Sequence, residues 1–249
     1  MTPIRQGRYL ARLAEGPEDM ARVHALRWQA FFGARGGAVG PTDGEGLDQD
    51  PFDAPCQHLM IEECGQRAES PVLGAFRLLI LQDGSQAERS YSAQFYDLSP
   101  FATLSGPLAE LGRFCMRPGP GNPDVMRLAW GALARLVEAE RVGWLFGCSS
   151  FPGADPTPHR SALAVLGRHH QGPPHLRPAR KAAETVDLGA ADGSRAGLPP
   201  LLRSYLALGG WVSDHAVIDR RLDTLHVFTA LDVKAIPPAR ARILRQIAQ

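Results

Sequence analysis

The chain has 249 residues, 44% of them hydrophobic, enough for a substantial core and too apolar for a disordered polymer. Its 27 Lys and Arg against 26 Asp and Glu leave a net charge of +1, which argues against the broad basic face of a nucleic-acid binder. Cys56, Cys64, Cys115 and Cys148 form no CxxC pair and no zinc spacing, so they read as reduced thiols of a cytoplasmic protein with no metal site.

Residues 7–14 read as a first strand. Pro17 then opens a helix that runs to about Phe32, with Glu18 and Asp19 in its first turn. Its apolar stripe is Met20, Val23, Ala30 and Phe31, and Arg27 lies on the same stripe. A guanidinium facing a core needs an anionic partner. Residues 33–55 form a Gly-, Asp- and Pro-rich loop holding Asp43, Glu45, Asp48, Asp50 and Asp53. Its length in a compact domain is itself a functional hint.

Strand-like runs follow at 57–63 and 72–82. Arg77 stands in the second, in line with Leu73, Ala75, Leu79 and Leu81. It is either a snorkelling edge residue or an anion holder on the sheet face. His58, in the first, reads as a packed histidine. A third strand at 108–116 carries Glu110 and Arg113, which strict alternation puts on opposite faces. A bulge at Gly112 brings them together and exposes backbone amides that suit an oxyanion; the alternative is an exposed ion pair.

Residues 117–122 break the chain before a helix over about 124–141, an arrangement that can receive a phosphate but matches no P-loop or dinucleotide fingerprint. A buried strand at 143–150 precedes a helix over about 157–168. Residues 171–196 read as an irregular connection. A helix from Pro199 to Leu208 ends at Gly209-Gly210, and strands at 211–218 and 225–232 close the domain. No run approaches the ~18 apolar residues of a membrane span, and the N-terminus lacks a signal-peptide core. After Asp232, Lys234, Arg240, Arg242 and Arg245 alternate with Ile243, Leu244 and Ile247, which reads as a packed helix or a contact with anionic lipid.

The segments LRWQAFF (26–32), LDQDPFDAPCQHL (47–59), VLGAFRLL (72–79), ELGRFCMRP (110–118), LFGCSSFPGADP (145–156) and the stretch 199–232 keep their order along nearly the whole chain. Together they resemble the bacterial L-ornithine Nα-acyltransferases of ornithine-lipid synthesis, relatives of acyl-homoserine-lactone synthases in the GNAT superfamily. The resemblance implies an α/β (α+β) fold, a GNAT-like mixed central sheet flanked by helices, with a β-bulge splay around Gly112. It implies one domain over 1–249 with a family-specific part at about 199–249.

The implied reaction moves a (3-hydroxy)fatty acyl group from acyl carrier protein to the α-amine of ornithine. The enzyme itself holds no cofactor; the donor carries 4'-phosphopantetheine. Carried over by motif, Glu110 and Arg113 are catalytic, with Glu110 as base. Arg27, Phe31, Asp50, Asp53, His58 and Arg77 shape the acceptor pocket, and Cys115, Met116 and Arg117 serve the acyl donor and oxyanion. Location is cytoplasmic, with peripheral contact at the inner membrane as a further expectation. The sequence departs from the family at Leu208-Gly209-Gly210-Trp211 and at His226, where an acid is expected. Lactone synthesis from S-adenosylmethionine and non-catalytic carrier or membrane binding are the competing readings.

Overall fold

The computed structural model describes residues 1–33, 46–64, 70–119, 121–189 and 192–247. Asp43 and Glu45 of the acidic loop, and parts of the 117–122 and 171–196 segments, lie outside them. The chain divides into two compact units. The first comprises Met1–Leu79, Leu111–Arg141 and Pro238–Gln249; the second comprises Ile80–Glu110 and Val142–Pro237. Among the described residues nine strands make up a mixed sheet, as the GNAT resemblance implies.

The first unit opens with a hairpin of β1 (Ile4–Gln6) and β2 (Tyr9–Leu13), turned at Gly7, whose φ of 58° suits a residue without a Cβ. The single strand expected at 7–14 is therefore the second of two. Helix α1 (Gly16–Phe31) follows, with proline in its first turn. β3 (Gln57–Glu63) lies between β2 and β4 (Val72–Leu81), antiparallel to both. β4 is flanked by β3 and β6 (Leu108–Met116), so Arg77 is not an edge residue and its snorkelling alternative falls away. The helix α2 (Pro123–Ala139) and the C-terminal helix α5 (Pro238–Ile247) complete this unit.

α1 and α2 cover opposite faces of this half-sheet. On one face Val23 and Leu26 of α1 pack with Met60, Val72, Ala75 and Cys115. On the other, Phe76 stacks on Phe114, and Phe114 lies against Trp130 of α2. The inner face of α1 is more polar than its apolar stripe suggests: Asp19, His24 and Arg27 are buried beside Val23 and Leu26, while Met20 is only half-buried.

In the second unit the residues at 84–103 wind through three 3₁₀ turns around β5 (Tyr96–Asp97). The first residues of β6 run parallel to β7 (Trp144–Pro152), with Leu108, Ala109 and Glu110 opposite Trp144, Leu145 and Phe146. Helix α3 (Arg160–His169) leads into the 171–196 connection. That connection is less irregular than its composition suggests. It supplies β8 (Ala179–Arg180), which pairs with β5, and β9 (Thr185–Asp187), an edge strand beside β10. Helix α4 (Pro200–Ala207) precedes the antiparallel pair β10 (Trp211–Asp219) and β11 (Thr224–Asp232), with β11 antiparallel to β7. Phe151, Leu163, Leu166, Leu202, Val212 and Val227 lie at the core of this unit.

Candidate active site

In the first unit three arginines and three aspartates close a ring of alternating charge. Arg27 Nε donates to Asp48 at 2.8 Å, and Arg113 Nε donates to the same oxygen at 3.0 Å. Arg113 Nη2 reaches Asp50 at 3.0 Å, and Arg77 Nη1 reaches Asp50 at 2.5 Å and Asp53 at 2.6 Å. Arg27 Nη1 completes the circuit on Asp53 at 2.6 Å. Each arginine comes from a different element (α1, β4 and β6), and all three acids come from residues 48–53. The ring thus clamps that segment onto the sheet, and the backbone amide of Asp48 adds a bond to His24 O at 3.1 Å.

The strand irregularity expected at Gly112 sits one residue later. Arg113 adopts φ of 50°, a left-handed backbone that costs a non-glycine residue energy and that the two bonds of its side chain help to hold. Gly112 has a different task. A Cβ there would lie 3.2 Å from Arg77 Nε, so its missing side chain makes room for the guanidinium. Two aromatic faces back the ring: Arg113 lies over Phe31 with 5.6 Å to the ring centre, and Arg77 over Phe52 with 5.7 Å.

Burial alone raises a carboxyl's pKa, yet the neighbouring His24 ring and the Arg27 guanidinium bonded to it hold Asp53 well below the usual carboxylate range. Burial likewise disfavours the Arg77 cation, and Asp50 and Asp53 more than offset it, leaving its pKa raised. His58, opposite Arg77 in the β3–β4 ladder, is set by its Nε2 against Asp53 O at 3.0 Å, and burial lowers its pKa. His24 Nε2 stands 3.3 Å from Asp53.

Arg27, Phe31, Asp50, Asp53, His58, Arg77 and Arg113 are therefore gathered in one place. Sequence reasoning passed over Asp48 and His24 as members. The available signals were Asp48's position two residues before Asp50, and His24's three before Arg27 on the same helical face.

Of the residues carried over for the acyl donor, Cys115 adjoins the ring, near enough to feel the charges of Arg27, Asp48 and Arg113. Cys115 packs in the core, where burial pushes its thiol up to about 12, making it a poor nucleophile at neutral pH. Met116 lies against Gly74, where a Cβ would meet its sulfur at 2.8 Å. The Arg117 amide is spent on Leu73 O at 2.8 Å, and its exposed side chain borders a pocket with Arg22, Gln29 and Ser70. The start of α2 is capped by Asn122, whose side chain accepts from the amides of Asp124 and Val125. This lessens the expected phosphate-receiving character of that helix start.

Glu110 belongs to the second unit and is 5% exposed. One of its oxygens accepts from the Tyr91 amide at 2.8 Å. The other accepts from the amide and hydroxyl of Ser92 at 2.7 and 2.6 Å. The 3₁₀ turn that supplies these donors lies in the long stretch before β6 that reads as irregular in the sequence. An acid on a buried strand position was the signal that such donors had to exist. Ser92 Oγ also lies 3.4 Å from Cys148 Sγ, and Tyr205 is close enough to feel the Glu110 charge.

Beyond Cys148, Tyr96 Oη stands 3.2 Å from Nδ1 of His226, the residue that departs from the family pattern. Burial, then His215, drives the His226 pKa down to about 3. Among the described residues no group of three His, Cys, Asp or Glu side chains could hold a metal, and no helix is long and apolar enough to cross a membrane.

An acetyltransferase (GNAT) domain model matches residues 26–131. Among solved structures, an N-acyl amino acid synthase, FeeM, from uncultured soil microbes is 13% identical over 92% of this chain and 94% of that one, with a TM-score of 0.49. The acyl-homoserine-lactone synthase LasI is 17% identical over 90% of each chain, with a TM-score of 0.47. L-ornithine Nα-acyltransferase of Brucella abortus is 30% identical over 93% of this chain and 87% of the relative. That of Rhodobacter capsulatus is 34% identical over 92% of this chain and 91% of the relative, and with agreement of that extent the chain belongs to the L-ornithine Nα-acyltransferase family.

Proposed function

We propose that this acyltransferase carries a fatty acyl group from a thioester on acyl carrier protein to the α-amine of ornithine, giving an N-acylornithine. The observation that carries the reading is the kinship to ornithine acyltransferases across both units rather than over the GNAT-matching segment alone. The donor is a 3-hydroxyacyl chain on 4'-phosphopantetheine, and the enzyme holds no cofactor of its own. The protein works in the cytoplasm, in peripheral contact with the inner membrane where its lipid product belongs.

The reaction is aminolysis. The neutral amine attacks the thioester carbonyl, the tetrahedral oxyanion collapses, and the pantetheine sulfur leaves and takes up a proton. Ornithine's α-amine is mostly protonated at neutral pH, so a base must take its proton, directly or through water. Glu110 fills that role, and its two bonds from Ser92 and one from Tyr91 support it by fixing the carboxylate in one orientation. Amides at Cys115 and Met116 are the proposed oxyanion donors. The Arg27–Asp48–Arg113–Asp50–Arg77–Asp53 ring holds the acceptor side in shape. Its charges answer one another, which favours a shaping role over direct capture of ornithine's own charges.

The test is to incubate the purified protein with a 3-hydroxyacyl carrier thioester and either ornithine or S-adenosylmethionine, and to resolve products by mass spectrometry. Nα-acylornithine is expected. An acyl-homoserine lactone in its place, or no acylated product from ornithine, overturns the reading.

A further inference from the structure

Helix α5 is a short basic rod that, among the described residues, packs on one side against α2. Residues 238–247 contain Arg240, Arg242 and Arg245 and no acid. Ala241, Leu244 and Ile247 recur at helical spacing and are half-buried, and α5 packs against α2. The contact is close at its end: a Cβ on Gly131 of α2 would lie 2.5 Å from the Ile247 side chain, so Gly131 lets the helix sit down there. Arg135, one turn further along α2, donates to Thr2 O at 3.1 Å and adds a cation on the same side of α2. On the outward side, Arg242, Arg245 and Gln246 are exposed, and Arg240 is exposed in the first turn, at the start of the stripe that Leu244 and Ile247 continue. Ile243, 50% exposed, is the single exposed large hydrophobic side chain among the described residues.

Three exposed guanidiniums and one protruding apolar side chain on a single short helix complement an anionic phospholipid surface. The cations meet the headgroups while their stems and the isoleucine enter the acyl boundary. We infer that the outer face of α5 is the surface by which this enzyme docks on an anionic bilayer. The inference rests on the proposed reaction only in explaining why a membrane contact is useful: the product carries a fatty chain.

The test is co-sedimentation of the full chain with sucrose-loaded vesicles, of pure phosphatidylcholine or with about 30% phosphatidylglycerol to supply a negative surface. Binding is expected to the anionic vesicles only, and to weaken as salt screens the attraction. At roughly five-fold per cation, the R240Q/R242Q/R245Q variant is expected to bind about a hundred-fold more weakly. Ile243→Ser loses a few-fold, and R240K/R242K/R245K retains binding.

Equal binding to both vesicle types, or wild-type binding by the triple-glutamine variant, overturns the inference. So does loss of affinity for acyl carrier protein with vesicle binding intact, which reassigns the patch to an acidic protein. Acylation of ornithine from carrier thioester without vesicles is expected to be unchanged in the triple variant. A wild type that binds anionic vesicles yet never acylates ornithine overturns the proposed reaction and leaves the docking face standing.

Discussion

The first unit builds the same device twice, in two different solvents. The inner ring joins Arg27, Asp48, Arg113, Asp50, Arg77 and Asp53, and none of its side chains is more than 11% exposed. An outer ring of four closes Arg12 on Asp19, Asp19 on Arg22 at 3.1 Å, Arg22 on Glu62 at 2.9 Å and Glu62 on Arg12 at 2.8 Å, with exposures of 10% to 28%. Both alternate charge, and both tie α1 to the strands beneath it. They differ in what water can do when a member is lost. Solvent can reach an orphaned partner in the outer ring, whereas in the inner ring a charge stays dry.

Removing one inner cation is accordingly the largest effect expected. Arg77→Met leaves Asp50 and Asp53 short of a partner that each of them contacts. The cost is about 3–5 kcal/mol, read as a fall in the urea midpoint. Arg27→Met is expected to match it, and Arg27→Met with Asp48→Leu to cost less than Arg27→Met alone. Additive losses in that cycle instead would mean that the ring is six separate contacts and not one device.

Glu110 supplies a contrast in kind. Its oxygens are held by donors of a neighbouring turn, so neutralising it disturbs a local hydrogen-bond set and not a ring of charges. Glu110→Gln is expected to lower kcat by about 10²–10⁴-fold, in the range ascribed to a general base, while the protein stays folded. Ring variants are expected to lose stability first and rate as a consequence. A Glu110→Gln enzyme with full turnover removes this residue from the mechanism.

Much of this was legible in the chain, and the pattern of what was missed is physical. Arg27 and Arg77 stood out because a cation in an apolar row has few stable explanations, and β3, β4 and β6 had alternation and length to mark them. Asp48 was harder to single out: it sits in a run of acids, where nothing local distinguishes a buried carboxylate from a solvated one. The outer ring was invisible for the same reason, since Arg12, Arg22 and Glu62 are ordinary surface residues until tertiary contact closes them. The turn at Tyr91–Ser92 carries no periodicity, and β9 was hidden by the composition around it. Arg113 rather than Gly112 in the left-handed region reverses the usual propensity, which only tertiary bonding to Asp48 and Asp50 explains.

Acid separates the rings further. Asp53 is held below its ordinary pKa, so its contribution is present above pH ~3.9, the unfolded value, and is lost only as pH falls below that. Asp19 is also held low, by Arg12, so neither ring's depressed carboxylate titrates between pH 7 and 5. His58, beside the inner ring, behaves otherwise. Burial lowers its pKa, so the unfolded chain binds the proton more readily and stability falls as pH drops below about 6.5. The slope is at most about 1.4 kcal/mol per pH unit, and His58→Gln is expected to flatten its share of it. Urea melts at pH 7, 6 and 5 measure this, and an unchanged slope in His58→Gln shows that the histidine does not report on the ring.

The smallest expected effect belongs to the outer ring. Arg22 bonds Asp19, Glu62 and the carbonyl of Ser70, so it is as well connected as Arg77, which bonds Asp50 and Asp53. If the number of partners set the cost, Arg22→Gln would be as damaging as Arg77→Met. If burial sets it, water replaces the lost donors and Arg12 still answers both acids, so the loss is about 0.5–1 kcal/mol. The two accounts also part on salt. Screening should shrink the Arg22→Gln effect toward zero between about 0.05 and 1 M salt, while that of Arg77→Met persists because ions do not enter the inner ring. A cost near that of Arg77→Met, insensitive to salt, would place the outer ring in the same electrostatic regime as the inner one and dissolve the distinction between them.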